Sequence, residues 1–172
     1  MFASKIRKIV LSAAVIATLP GFAGAAVYTK NAPPASFDVT MKIVADCTIS
    51  ANGIDFGQTQ GLLSRAVSGS SAISVTCTNT TPYNVGLDQG TGTGSSGTTR
   101  YMAGTNGNAN TVRFNLSQSQ GGTPWGNTQG TDTMAGTGTG TAQQLTVYGE
   151  IPVQNSPTPD SYKSTITATV YF

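Results

Sequence analysis

ISVTCTNTTPYNVGLDQG, residues 73–90, opens with Ile73, Val75 and Cys77 alternating with Ser74, Thr76 and Thr78, and closes on a second apolar run, 83–87. A two-residue period is that of a strand with one buried face, because successive side chains point to opposite sides of the sheet. The same pattern recurs on both sides of this stretch. Phe37, Val39, Met41 and Ile43 alternate with Asp38, Thr40 and Lys42, and Ile54 and Phe56 form a short apolar piece before Gly57. Further on come Val112, Phe114 and Leu116, then Leu145, Val147, Tyr148 and Ile151, and last Ile166, Ala168, Val170 and Phe172. Clusters of Gly, Asn, Ser and Thr separate these runs, and no helical period is seen outside the first 25 residues. The chain is therefore expected to be all-β, a sandwich or a barrel.

Two connections stand apart. Residues 89–110, QGTGTGSSGTTRYMAGTNGNAN, hold six glycines and few apolar side chains, and read as a long connection or a flexible excursion. Residues 134–144, MAGTGTGTAQQ, form a second low-complexity stretch. Neither GTGTG piece lies between a strand and a helix or precedes Lys-Ser/Thr, so both read as solvated loops instead of phosphate cradles. GGTPWG at 121–126 marks a turn with the single tryptophan, and Pro152, Pro157 and Pro159 make a loop.

Residues 1–25 have the three parts of a secretory signal: basic Lys5, Arg7 and Lys8, an apolar run over 9–19, and small residues at Ala23 and Ala25. The run is too short to span a bilayer, and no later stretch reaches the roughly 20 apolar residues a transmembrane helix needs. Cleavage after Ala25 leaves 147 of the 172 residues, with six basic against seven acidic side chains. Without a basic patch, the electrostatic footprint of nucleic-acid binding is missing. Charged residues are only 9% of the chain, so the surface is polar without being charged, as befits an extracellular structural protein more than a cytosolic enzyme. In an oxidising compartment Cys47 and Cys77 most simply form one intramolecular bridge, with free thiols or an intermolecular bond as the alternatives.

The chemistry available to this chain is narrow. The absence of histidine removes the commonest general base and metal ligand, and two cysteines without histidine make a poor zinc site. No cofactor, metal or catalytic residue is expected. A serine nucleophile would need a lysine base, but Lys42 and Lys163 fall on polar strand faces and read as solvated charges. Asp88 with Glu150 is the one carboxylate pair worth naming for glycoside hydrolysis, and no motif supports it. Trp125 with Tyr101, Tyr148 and Tyr162 reads either as a sugar platform or as core and loop packing, the second being favoured.

The two ends of the exported chain carry the informative pattern. The alternating run Phe37, Val39, Met41 and Ile43 follows the loose AVYTKNAPPAS of residues 26–36, and the last run stops at Phe172. About six firm strands follow Cys47, where immunoglobulin-type sandwiches use about seven. A missing strand would leave a groove and an unpaired edge, which another chain can fill by β-strand addition. Four such side chains would bury apolar area worth about 6–12 kcal/mol before entropy costs. The run is equally readable as the first strand of its own sandwich.

The chain resembles the spore coat protein U domain family, which includes pilin subunits of archaic chaperone-usher pili. The landmarks, in order, are FDVTMKIVADCTIS (37–50), DFG (55–57), ISVTCTNTTPYNVGLDQG (73–90), RYMAG (100–104), VRFNLSQ (112–118), PWG (124–126), GTGTAQQLTVYGEIP (138–152) and SYKSTITATVYF (161–172). The resemblance implies an incomplete immunoglobulin-like β-sandwich completed by a donor strand, and it carries over the Cys47–Cys77 bridge. It assigns residues 1–25 to the signal, 26–46 to an N-terminal extension with donor residues Phe37, Val39, Met41 and Ile43, and 47–172 to the sandwich. Ile166, Ala168, Val170 and Phe172 would border the acceptor groove and face a chaperone. The implied partners are a periplasmic chaperone, an outer-membrane usher and other copies or related pilins, on a route through the periplasm to the cell surface. A self-complemented coat or matrix protein is the alternative, and a carbohydrate-binding module the third. Residues 26–36, with Pro33 and Pro34, make a longer lead-in than a donor strand needs.

Overall fold

A computed structural model describes residues 30–58 and 63–172; the expected signal at 1–25 lies outside the described residues. Contacts divide the chain into Met1–Met41 and Lys42–Phe172. Among the described residues of the first unit, 30–41, there is no regular secondary structure and every residue is exposed.

The second unit is all-β. Its strands are β1 (Cys47–Ala51), β2 (Val67–Cys77), β3 (Pro82–Leu87), β4 (Arg100–Gly104), β5 (Thr111–Ser117), β6 (Met134–Thr137), β7 (Gln143–Ile151), β8 (Tyr162–Lys163) and β9 (Ala168–Tyr171). They form a six-stranded sheet in the order β1-β2-β7-β5-β4-β8 and a three-stranded sheet β6-β3-β9, and every pairing is antiparallel. Ile73, Val75 and Cys77 of β2, Val112, Phe114 and Leu116 of β5, and Val147 and Ile151 of β7 turn inward from the first sheet. Tyr83, Val85 and Leu87 of β3 meet them from the second, so the alternation seen in the sequence builds the core directly.

Cys47 and Cys77 are register partners of β1 and β2 and are joined by a disulfide, with Cα atoms 4.1 Å apart. The bridge ties the edge strand of the large sheet to its neighbour.

The structure departs from the sequence reading in four places. The run from Phe37 to Ile43 is not a strand, since no residue between 30 and 46 lies in one, and the first strand starts at Cys47. Its alternation has no sheet of this unit to answer. The 89–110 stretch is no flexible excursion: it contains β4, and its glycine loop packs so closely that a Cβ on Gly92 would lie 1.6 Å from the Tyr101 carbonyl oxygen. Met134–Thr137 is likewise a strand, pairing with β3. The last run is shorter than expected, with Ile166 before β9 and Phe172 after it.

Arg100 explains why β4 was hidden. Its side chain is fully buried, which the polar-out rule for strands does not anticipate. Nε donates to the Asp88 carbonyl at 2.8 Å, and Nη2 donates to the carbonyls of Leu87 at 2.9 Å and Trp125 at 2.7 Å. Burial lowers the guanidinium pKa, and Asp88 and Asp132 act in the opposite sense. Trp125 is fully buried beside it, its indole N–H donating to the Val85 carbonyl at 2.7 Å. Its amide N–H donates to the Leu116 carbonyl at 2.9 Å. Together the two residues, Trp125 through its backbone amide as well as its ring, bolt β3 of one sheet to β4 and β5 of the other. A buried tryptophan cannot serve a sugar platform, so packing is the correct reading of Trp125.

Candidate functional site

The sandwich is open along one seam. Among the described residues, β1 is an edge of the large sheet and pairs only with β2, while β9 is an edge of the small sheet and pairs only with β3. The two approach each other without pairing. Between them lies a groove of about 500 Å³. One wall is Ala51, Asn52, Ile54 and Phe56, running on from β1; the other is Ile166 and Ala168, leading into β9. Its floor is core: Ile73, Leu87, Phe114, Leu116 and Val147. Apolar side chains at a seam between two edge strands are what an added strand would cover.

Each wall has a local cause. On the β9 side, Asp88 organises the backbone: its carboxylate accepts from the Gly90 amide at 2.9 Å and the Thr167 amide at 3.0 Å. Thr91 and Ser164 add a reciprocal clasp, Thr91 N–H donating to Ser164 Oγ at 3.2 Å and Thr165 N–H to Thr91 Oγ1 at 3.0 Å. Residues 164–167 are therefore held to the 88–91 loop, which keeps Ile166 turned toward the groove.

On the β1 side the cause is a glycine pair. Gly69 and Gly149 are register partners, the first near the start of β2 and the second near the end of β7. A Cβ on Gly149 would lie 2.8 Å from Phe56 Cζ and 3.1 Å from Ile54 Cδ1, and one on Gly69 would lie 3.0 Å from Ile54 Cγ2. Glycine inside a strand weakens it but permits close approach of another segment. Here it makes a seat for Ile54 and Phe56, which close one end of the groove. Sequence reading missed this seat, although an isolated glycine within an alternating run is the signal for it.

The expected site residues separate into groups. Ile166 and Ala168 line the groove. Val170 is half-buried against the core, and Phe172 is exposed. Phe37, Val39, Met41 and Ile43 are 86, 87, 82 and 73% exposed. Single exposed apolar residues are ordinary, but four in an alternating row are an unburied strand face. Lys42 and Lys163 are exposed, in line with solvated charges. Asp88 and Glu150 do not form a pair: Asp88 is occupied by the backbone of 90 and 167, while Glu150 lies on the outer face of β7.

The profile of the Spore Coat Protein U domain matches residues 34–169. The chain belongs to this family. The matched span holds the donor-like run, the disulfide and both walls of the groove. Among solved structures, a chaperone–tip adhesion subunit pre-assembly complex (CsuC-CsuE) from archaic chaperone-usher Csu pili of Acinetobacter baumannii shares the fold. The TM-score is 0.55 at 22% identity, over 76% of this chain and 40% of that one. The chain thus spans less than half of that neighbour. The Escherichia coli Hda pilus minor tip subunit, HdaB, is a more distant neighbour, with a TM-score of 0.37 at 16% identity over 73% of this chain and 79% of that one. No curated protein matches the chain.

Proposed function

We propose that this member of the Spore Coat Protein U family is a structural subunit of a surface pilus, assembled by the chaperone-usher route through donor-strand exchange. The observation that carries the reading is the apolar groove where the edge strands β1 and β9 come together, present in the same chain as an alternating apolar row that is left exposed. In this reading the groove accepts a chaperone strand in the periplasm. The usher then replaces that strand with Phe37, Val39, Met41 and Ile43 of the next subunit. Burying those four side chains supplies about 6–12 kcal/mol of apolar transfer, while main-chain bonding along β9 fixes register. Residues 1–25 direct export and are removed, 26–46 form the donated extension, and 47–172 form the acceptor body. No step requires catalysis.

The test is polymerisation. Val39→Asp or Met41→Asp is expected to abolish polymers while chaperone binding is kept, because the donor is altered and the acceptor is not. A copy of residues 30–46 appended after Phe172 through a flexible linker is expected to yield a stable monomer. Fibres formed by a chain lacking residues 26–45 would sink the proposal.

A further inference from the structure

The face of the large sheet turned away from the core is not flat. Loop residues Thr98 and Thr99 on one side and 120–124 on the other wall a depression of about 520 Å³ over β2, β7 and β5. That volume is within the range of small-ligand sites, roughly 300–1,000 Å³. Strand register sets its base in two rows of three. Ser68, Glu150 and Asn115 lie side by side, and Ser70, Tyr148 and Ser117 form the next row, since Glu150 and Tyr148 are the β7 partners of residues on both neighbours. Arg113, Gln120, Gly121 and Gly122 also line the depression.

Ser117 Oγ is engaged, donating to the Ser119 carbonyl at 2.7 Å, but four of the other groups are free to bind. Among the described residues, the side chains of Glu150, Asn115, Gln120 and Arg113 make no hydrogen bond or ion pair within the chain; the Arg113 pairing with Gln154 is through its backbone. Glu150, Asn115 and Tyr148 are half-buried, so they are drawn partly from water without a protein partner. One carboxylate and one guanidinium balance, which removes preference for an anion or a cation. Amides and hydroxyls that both donate and accept suit vicinal hydroxyl groups, each of which also does both. The half-buried Tyr148 ring adds an apolar surface beside them.

We infer that this depression is a binding site for a neutral saccharide, one or two sugar rings long, on the lateral face of the domain. The site lies on the opposite face of the large sheet from the groove, the two sharing Leu116 alone among their lining residues. It also differs from an aromatic platform around Trp125, since Tyr148 alone of that set lies here.

Saturation-transfer difference NMR on the full chain, with maltose, lactose and N,N'-diacetylchitobiose as probes and 3'-sialyllactose as the charged comparison, tests the inference. At least one neutral probe should receive saturation. Affinity should fall about tenfold in Asn115→Ala, the factor for one lost neutral hydrogen bond, and about tenfold in Glu150→Gln, where a charge-assisted acceptor becomes a neutral one. Tyr148→Phe should retain binding if the ring contributes its face, and Tyr148→Ala should lose it. Because Glu150 and Asn115 hold nothing within the chain, both variants should keep the wild-type melting temperature. No transfer to any neutral probe overturns the inference, and so does transfer to sialyllactose alone or binding indifferent to Glu150→Gln and Asn115→Ala.

Discussion

Adding one methyl group at Gly149 should destabilise the sandwich, and removing the Phe56 ring should cancel most of that effect. In Gly149→Ala the new Cβ would lie 2.8 Å from Phe56 Cζ and 3.1 Å from Ile54 Cδ1. Overpacking of this kind costs about 1–3 kcal/mol. The lower unfolded-state entropy of alanine returns about 0.4–1 kcal/mol, since Gly149 does not have a positive φ. The net expectation is a loss of about 1–2 kcal/mol. Phe56→Ala alone should cost about 2 kcal/mol, less than a full core phenylalanine because the ring is only half-buried. In the Phe56→Ala background the shortest contact is gone and only Ile54 Cδ1, at 3.1 Å, still has to give, so Gly149→Ala should be close to neutral. The coupling in this double-mutant cycle is therefore about 1–2 kcal/mol. Equilibrium urea unfolding can follow it through the emission of the one tryptophan, which is fully buried. At the usual m-values the single Gly149→Ala change moves the midpoint by roughly 0.5–1 M. Equal destabilisation by Gly149→Ala with and without the Phe56 ring would refute the seat and, with it, the account of how the groove is closed at that end.

Replacing both Cys47 and Cys77 by alanine opens a loop of 30-residue separation and should lower stability by about 3–4 kcal/mol in the chain-entropy model; identical urea midpoints for the oxidised protein and the double variant would contradict it. Arg100→Met removes the donor from three buried carbonyls and should cost about 3–5 kcal/mol, read as a collapse in soluble yield and in near-ultraviolet dichroism; a variant as stable as the parent would show that water satisfies those carbonyls. Desolvation pushes the Asp160 carboxyl up, but hydrogen bonds from the Asn106 backbone, the Asn108 side chain, the Ser161 backbone and the Asn106 side chain together hold it below the usual aspartate value. A depressed folded pKa contributes stability that is present above the unfolded value, about 3.9, and is lost as pH falls through the folded one. The stability gap between the parent and Asp160→Asn should therefore close as pH drops below about 4, and a gap constant from pH 6 to pH 2 would be inconsistent with that clasp.

Much of the domain was legible because burial and alternation coincide in it. Ile73, Val75 and Cys77, Val112, Phe114 and Leu116, and Val147 and Ile151 obey a period of two, and each set is the inner face of a strand. β4 broke that rule, since its first residue is an arginine buried for its hydrogen bonds, in a stretch whose glycines suggest a loop. β6 was hidden for a related reason: at four residues, its period is too short to read. The row from Phe37 to Ile43 carries the clearest alternation in the chain and forms no strand here, because periodicity reports a capacity to pair and not the partner.

By itself the sequence determined the fold class, the cysteine pair, the family landmarks and the apolar row waiting near the N-terminus, all of which rest on local pattern. Only the tertiary structure decided where the sandwich is open, that Ile54 and Phe56 sit over Gly69 and Gly149, and that Glu150 faces Asn115 instead of Asp88. Those facts depend on which strands become neighbours and in what register, and register is set by long-range packing of both sheets at once.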